Sequence, residues 1–256
     1  MRYPTQRQVL VQIARLEKFI NDWRMIPATA VVRNRVSLAL FSKALTVARA
    51  ICVLVKAGFP AEAFGTSRTL LDIYFSVRYM SNKDTEARAT TFVEYAARIQ
   101  KEWVSLNAKY FPDRTLELSR SHDEAMKIAE KFQSRHQWTP HGGQAKFMAL
   151  EPDGFEVNEL GLPITGEFDY DVFYFWTSHY VHVTIPALAG HFGEAGEVFR
   201  VRSRSSSEKD YSRLALFNTV TLLAKIAIQA CRGMHEEQPE AILQDMFKMM
   251  PKFVRN

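Results

Sequence analysis

The chain has 256 residues, of which 47% are hydrophobic and 24% charged, with a net charge of +5. That is material for a soluble globular protein with a real core, as one large domain or two small ones. The charge is a mild bias toward anionic partners such as nucleic acid. Cys52 and Cys231 both lie in apolar, helix-patterned surroundings, which fits buried thiols in a reducing cytoplasm better than a disulfide framework. The N-terminal segment places charges at helical spacing and has no apolar centre, so it does not read as a signal peptide. A membrane span is not expected either. The longest apolar candidate, Ser37 to Ala57, is interrupted by Lys43, Arg49 and Lys56, and spans need roughly 18 or more unbroken apolar residues.

Helical periodicity dominates the chain. A first helix is predicted from about Gln6 to Trp23, with Val9, Leu10, Ile13, Leu16, Phe19 and Ile20 on one face. A second runs from about Ala30 to Lys56 and stops at Gly58, a C-terminal signal. Pro60 opens a third, which reaches about Met80. A fourth covers about Asp84 to Tyr110, and a weaker fifth about Thr115 to Ser134. The stretch from Arg135 to Phe168 is rich in Gly and Pro and reads as a long, irregular loop, with Trp138, Phe147 and Phe155 able to pin it across the helices. An aromatic helix then spans Asp169 to Gly190. Gly190, Gly193 and Gly196 mark a further irregular patch, and Arg200 to Ser207 a basic, Ser-rich exposed loop. Helices from about Ser207 to Met234 and from about Glu240 to Met249 complete the chain. The predicted fold is all-α, one domain built as a bundle of four long helices plus C-terminal helices.

Two groups of residues stand out. Arg68 and Asp72 are four apart on the third helix, so they can touch. Apolar neighbours Leu70, Leu71, Ile73, Phe75 and Val77 suggest that this helix is substantially buried. In the aromatic helix, Asp171, Tyr174, Ser178 and His182 are spaced three, four and four apart and fall on one helical face. Phe173, Phe175, Trp176, Tyr180 and Val181 around them suggest burial on most sides. A polar line through buried surface must be paired. It is either a structural network, with His182 bonded to Asp72 or a carbonyl, or a site. In the second case His182, with an ordinary pKa of about 6.5, is a general acid or base. Tyr174 and Ser178 orient a substrate, and Arg68 binds a phosphate or oxyanion.

These same residues carry a resemblance. From Ala44 to Tyr79 the order is an apolar helix, Lys-Ala-Gly, Pro-Ala-Glu-Ala, then Ser-Arg-Thr-Leu-Leu-Asp. This resembles the bacterial family known as domain of unknown function 5677, in which an Arg is followed four positions on by an acidic residue, more often Glu. Here the pair is Arg68 and Asp72, and the shorter Asp changes the reach. Trp138 and the run Tyr170 to His182 are similar to the family's later block, with Ser178 and His182 matching its Ser and His. The resemblance covers about residues 40 to 185 and implies an all-α bacterial protein without a settled activity. A weaker resemblance links the chain to the HEPN superfamily of helical ribonucleases and of defence or toxin proteins. Arg135 and His141, in the run RHQWTPH, fit the loose Arg and His pattern of those ribonucleases, which act on a phosphodiester, commonly across a dimer.

No other constellation is strong. His179 with His182, and His191 with Glu194, are isolated pairs, and a metal site needs further ligands. There is no phosphate-binding glycine loop, dinucleotide fingerprint, serine elbow or zinc-type cysteine spacing. No metal or other cofactor is expected. The leading expectation is a cytoplasmic, metal-independent RNA-cleaving effector in phage defence or a toxin system, with RNA, a protein partner or a second copy as partners and no membrane. The alternative is a non-catalytic helical module that binds a protein or small ligand.

Overall fold

The computed structural model describes residues 3–22, 31–111, 126–132, 138–139, 148, 169–181, 192–195, 198–201, 208–232 and 240–249. The helices are α1 (Gln6–Asp22), α2 (Val32–Lys56), α3 (Pro60–Asn82), α4 (Thr85–Tyr110), α5 (Phe175–Val181), α6 (Glu208–Arg232) and α7 (Glu240–Met249), with a π-helical segment at Asp169–Tyr174 leading into α5. The all-α class follows the periodicity. A short antiparallel ribbon joins β1 (Phe192–Ala195) to β2 (Val198–Val201), pairing Phe192 with Val201, and corrects the reading of an irregular patch around Gly193.

The centre of the bundle is α6, and the four N-terminal helices are not equal members around it. Every residue from Ala215 to Cys231 is buried, polar ones included, so this stretch is enclosed on all sides. By contrast, Ala89 is the buried residue of α4, which sits at the edge. α3 runs parallel to α6: Phe64 meets Tyr211 at 6.0 Å between ring centroids, Asn218 lies 3.4 Å from Ser67, and Ser81 donates to the Gln229 carbonyl at 3.1 Å. α2 packs beside both in the opposite direction.

That antiparallel return is set by the turn. Gly58 takes a positive φ of 82°, Phe59 N donates to Leu54 O at 2.9 Å and Gly58 N to Val55 O at 3.2 Å. This is a Schellman closure, which glycine makes without steric cost. Pro60 then begins α3 where no backbone donor is needed.

Two parallel helices put their negative C-terminal ends side by side. Arg33, buried at the start of α2, sits between them. Its Nη2 donates to Ser81 Oγ at 3.0 Å and to Gln229 O at 3.2 Å. Burial lowers the Arg33 pKa, while Cys231 and Glu86 oppose this. The first turn of α2 lacks a side-chain cap of its own. Glu86 from α4 supplies one, accepting from Val32 N at 2.8 Å and Arg33 N at 3.1 Å.

By length and composition, two helices could cross a membrane, Val32–Lys56 and the Lys209–Cys231 part of α6. Neither holds an unbroken apolar run of about 18 residues: Lys43, Arg49 and Lys56 interrupt the first and Lys225 the second. The α6 window is 89% buried within the protein, which suits a core helix. The expected helix at 115–134 and the loop at 135–168 lie mostly outside the described residues. Within them, residues 126–129 are helical and Met148 is helical and buried. Trp138 is buried edge-on against Tyr79 at 5.4 Å and Phe92 at 5.0 Å, so one of the three predicted pinning aromatics is anchored.

The Glu86 cap is testable. Glu86→Ala should cost about 1 kcal/mol, read from the urea midpoint with an unchanged slope. A variant as stable as the parent would show that the α2 terminus is satisfied without it.

Candidate functional site

On α3, Arg68 and Asp72 share one face at the rim of the bundle. Their Nε and Oδ2 atoms are 3.9 Å apart, with the Arg68 side chain 18% and the Asp72 side chain 51% exposed. The pair therefore reaches solvent. Across from it stands Tyr174. Arg68 Nη2 donates to Tyr174 Oη at 2.6 Å, and the guanidinium lies 4.4 Å from the ring centroid. Tyr174 stacks on Tyr170 at 4.9 Å and meets Phe75 at 6.2 Å, which fixes its ring plane.

The electrostatics follow from this half-open geometry. Burial by its surroundings pushes the Asp72 carboxyl up to about 6, with Arg68 pulling it back. Half of the side chain still meets water, which moderates the shift and leaves the proton exchangeable. Burial also raises the Tyr174 pKa, Arg68 opposing it and Asp72 adding to it. Tyr174 thus keeps its proton while accepting a hydrogen bond from Arg68.

The aromatic segment differs from a plain α-helix. Its first turn is π-helical, a wider turn that often marks functional positions. Asp171 is carried out of line with Tyr174 and is exposed. The expected burial on most sides is also corrected: Phe175, Trp176 and Val181 are about half exposed. Phe175 and Trp176 turn away from the core, whereas Phe173 and Thr177 face it. At the junction, Thr177 Oγ1 donates to Phe173 O at 2.6 Å and Ser178 Oγ to Tyr174 O at 2.5 Å. Ser178 is thus turned onto its own helix, with its oxygen left as an acceptor.

The structure brings together Arg68, Asp72 and Tyr174, with Ser178 one turn away. His182, Arg135 and His141 lie outside the described residues. Among the described residues, no three His, Cys, Asp or Glu side chains converge as metal ligands.

Sequence reasoning missed the group that holds this site. Asp169, fully buried at the start of the π segment, accepts from Lys225 Nζ of α6 at 2.5 Å. Lys225 is also 5.1 Å from the Tyr74 ring. Burial pushes the Asp169 carboxyl upward, against the pull of Lys225 and of Arg78. Arg78 is buried and donates to Met148 O at 2.8 Å. The Oδ1 atom of Asp169 has no hydrogen-bond partner among the described residues. The signal was present in the sequence: Lys225 is the one charge between Leu214 and Cys231, and a lysine there needs a buried partner.

A family model matches residues 34–199 and describes a family of unknown function, DUF5677. The chain belongs to this DUF5677 family. The match runs from α2 into β2, so it contains Arg68, Asp72, Asp169, Tyr174 and Ser178, while α6 with Lys225 lies beyond it. No curated protein and no solved structure matches the chain.

Two predictions follow from this geometry. Asp169→Ala removes the carboxylate from a lysine buried at the centre of the protein and should cost about 3–5 kcal/mol. Arg68→Ala, at the open rim, should cost far less. Chemical denaturation of both variants checks the order, and equal losses would contradict it. The second concerns pH. A carboxyl raised in the folded state stabilises fully below its ordinary value of 3.8 and loses that contribution as pH rises through about 6. Asp72→Asn should therefore gain stability relative to the parent above pH 6 and not below pH 4, with the crossover read from melting curves. A difference independent of pH would rule out a raised Asp72.

Proposed function

We propose that the Arg68, Asp72 and Tyr174 cluster is an acid–base site for a phosphodiester, and that the protein is a metal-independent RNA-cleaving effector of the HEPN-like kind. The single observation that carries this reading is the half-open Asp72 carboxyl, raised to about 6 beside a guanidinium. A base near neutrality next to an anion-binding cation suits proton transfer at a phosphate. The net charge of +5 favours a polyanionic substrate. A role in bacterial phage defence or a toxin system, in the cytoplasm, belongs to the same proposal.

In this reading Asp72 takes the proton of a ribose 2′-hydroxyl. The 2′-oxygen bonds to phosphorus and the bond from phosphorus to the 5′-oxygen breaks. The leaving 5′-oxygen takes a proton from His182, which the sequence offers as a general acid or base and which acts here as the acid. Arg68 holds the non-bridging oxygens as charge develops, and Tyr174, packed on Tyr170, orients them. The products are a 2′,3′-cyclic phosphate and a 5′-hydroxyl.

The second reading, a non-catalytic module that binds a protein, draws on the outward aromatic face of Phe175 and Trp176. One experiment separates the two. The parent protein should cleave single-stranded RNA in the presence of a metal chelator, with a rate that rises through about pH 6. Arg68→Ala, Asp72→Asn and His182→Ala should each lower the rate by about 100-fold or more, while melting temperatures stay within a few degrees. A parent protein without RNase activity, together with a strongly destabilised Arg68→Ala, would support the module and remove the enzyme.

A further inference from the structure

Beyond Tyr174 the rim surface continues along α5. Tyr174 accepts from Arg68 Nη2 at 2.6 Å. Ser178 follows it by one turn, and its Oγ donates back to Tyr174 O at 2.5 Å. Phe175 is three residues before Ser178 in the same helix, an interval that makes the two neighbours on a helix surface. A guanidinium, a serine oxygen and an aromatic ring thus follow one another across one patch.

Each has a defined chemistry to offer. The Ser178 hydroxyl has committed its one proton to the Tyr174 carbonyl, so its oxygen can only accept. A group that reaches it must bring a donor. Phe175 is 53% exposed and turns away from the core. Trp176 meets it edge-on, with centroids 5.8 Å apart and planes at 82°, which orients the ring while half of the residue still meets solvent. A purely apolar partner laid over Phe175 would cover the Ser178 acceptor without pairing it, at a cost. A nucleotide presents the matching groups in the same order. Its phosphate suits the guanidinium, its 2′-hydroxyl can donate to the serine oxygen, and its base can stack on the ring.

We infer that Ser178 and Phe175 form a nucleoside subsite on the leaving side of the substrate, Ser178 accepting from the 2′-hydroxyl and Phe175 stacking on the base. The inference rests on the phosphodiester reading above, in which Asp72 serves the nucleotide whose 2′-oxygen attacks. Asp72 lies at the Nε end of the guanidinium, 3.9 Å away, and Tyr174 at the Nη2 end. The nucleotide that departs with the 5′-oxygen therefore lies along α5. A base stacks on a protein ring only when it is splayed out of its own stack, so the substrate is single-stranded at this position.

The probe is a short oligonucleotide ending in UpA, 2′-O-methylated upstream so that only its last phosphodiester can be cleaved. Two relatives of it end in 2′-deoxyadenosine or in an abasic ribose. With the full chain, loss of the base should lower kcat/KM about 10-fold, and loss of the terminal 2′-hydroxyl about 5-fold. Phe175→Leu should lower kcat/KM about 10-fold on the intact probe and cause no further loss on the abasic one. Phe175→Tyr should restore it. Ser178→Ala should lower it about 5-fold on the intact probe and cause no further loss on the deoxy one. Any general damage to the fold would act equally on every probe and cancels in these comparisons. Equal losses on intact and abasic probes, or no loss in Phe175→Leu, overturn the base contact. The same pattern for Ser178→Ala on the deoxy probe overturns the sugar contact. In both cases a parent that cleaves RNA keeps the phosphodiester reading. A parent that cleaves no RNA removes that reading and the subsite with it.

Discussion

Much of this structure depends on one charge in the wrong solvent. Lys225 lies in the stretch of α6 from Ala215 to Cys231 that is buried on every side. An ammonium in that position is costly unless it finds a carboxylate. Asp169 provides it from a segment 56 residues away in sequence. The need to pair Lys225 therefore draws the π segment onto the bundle. Once Asp169 is fixed there, the turn that follows puts Tyr174 over Arg68. The rim cluster on α3 and the buried pair on α6 are two ends of one arrangement, with Tyr74 and Phe75 packed between them.

Polar groups elsewhere obey the same accounting. Running α3 parallel to α6 places two sets of C-terminal carbonyls together, and Arg33 answers them from the start of α2. Glu86 answers the opposite need at the α2 N-terminus. Asn218, Thr221, Lys225 and Gln229 form a polar line along α6, and Asn218 Oδ1, Thr221 Oγ1 and Gln229 Oε1 have no hydrogen-bond partner among the described residues. A wholly apolar α6 would pack more cheaply. Asn218 ties α6 to Ser67 of α3, and Ser81 of α3 reaches the backbone carbonyl of Gln229, so a slip of α3 against α6 would break both contacts.

The sequence made the long helices legible because their apolar spacing and end signals agree. Pro60 and Gly58 marked the turn between α2 and α3, and Arg68 with Asp72 could be paired from a four-residue interval alone. The stripe on the aromatic helix was read with α-helical geometry, and the π turn moved Asp171 out of it. Spacing rules cannot anticipate a local change of helical pitch that a tertiary ion pair holds in place. The Asp169 and Lys225 pair was hidden for a related reason. Each residue is ordinary in its own window, and the contact joins distant parts of the chain. The central place of α6 was readable in principle, since a single lysine in a long apolar stretch demands an explanation. The exposed side of α5 was not, because aromatic content alone does not say which face is covered.

The account stands on the claim that the buried pair positions the site. Amide hydrogen exchange of Lys225→Met tests it most directly. Methionine preserves the bulk and apolar packing of the side chain and removes its charge. Asp169 must then protonate or leave for water. Near neutral pH, residues 169–181 should lose protection in the variant while α3 and α6 keep theirs. The difference should shrink under acid conditions, where Asp169 is protonated. Protection of residues 169–181 that is unchanged near neutral pH would contradict the claim that this ion pair holds Tyr174 at Arg68.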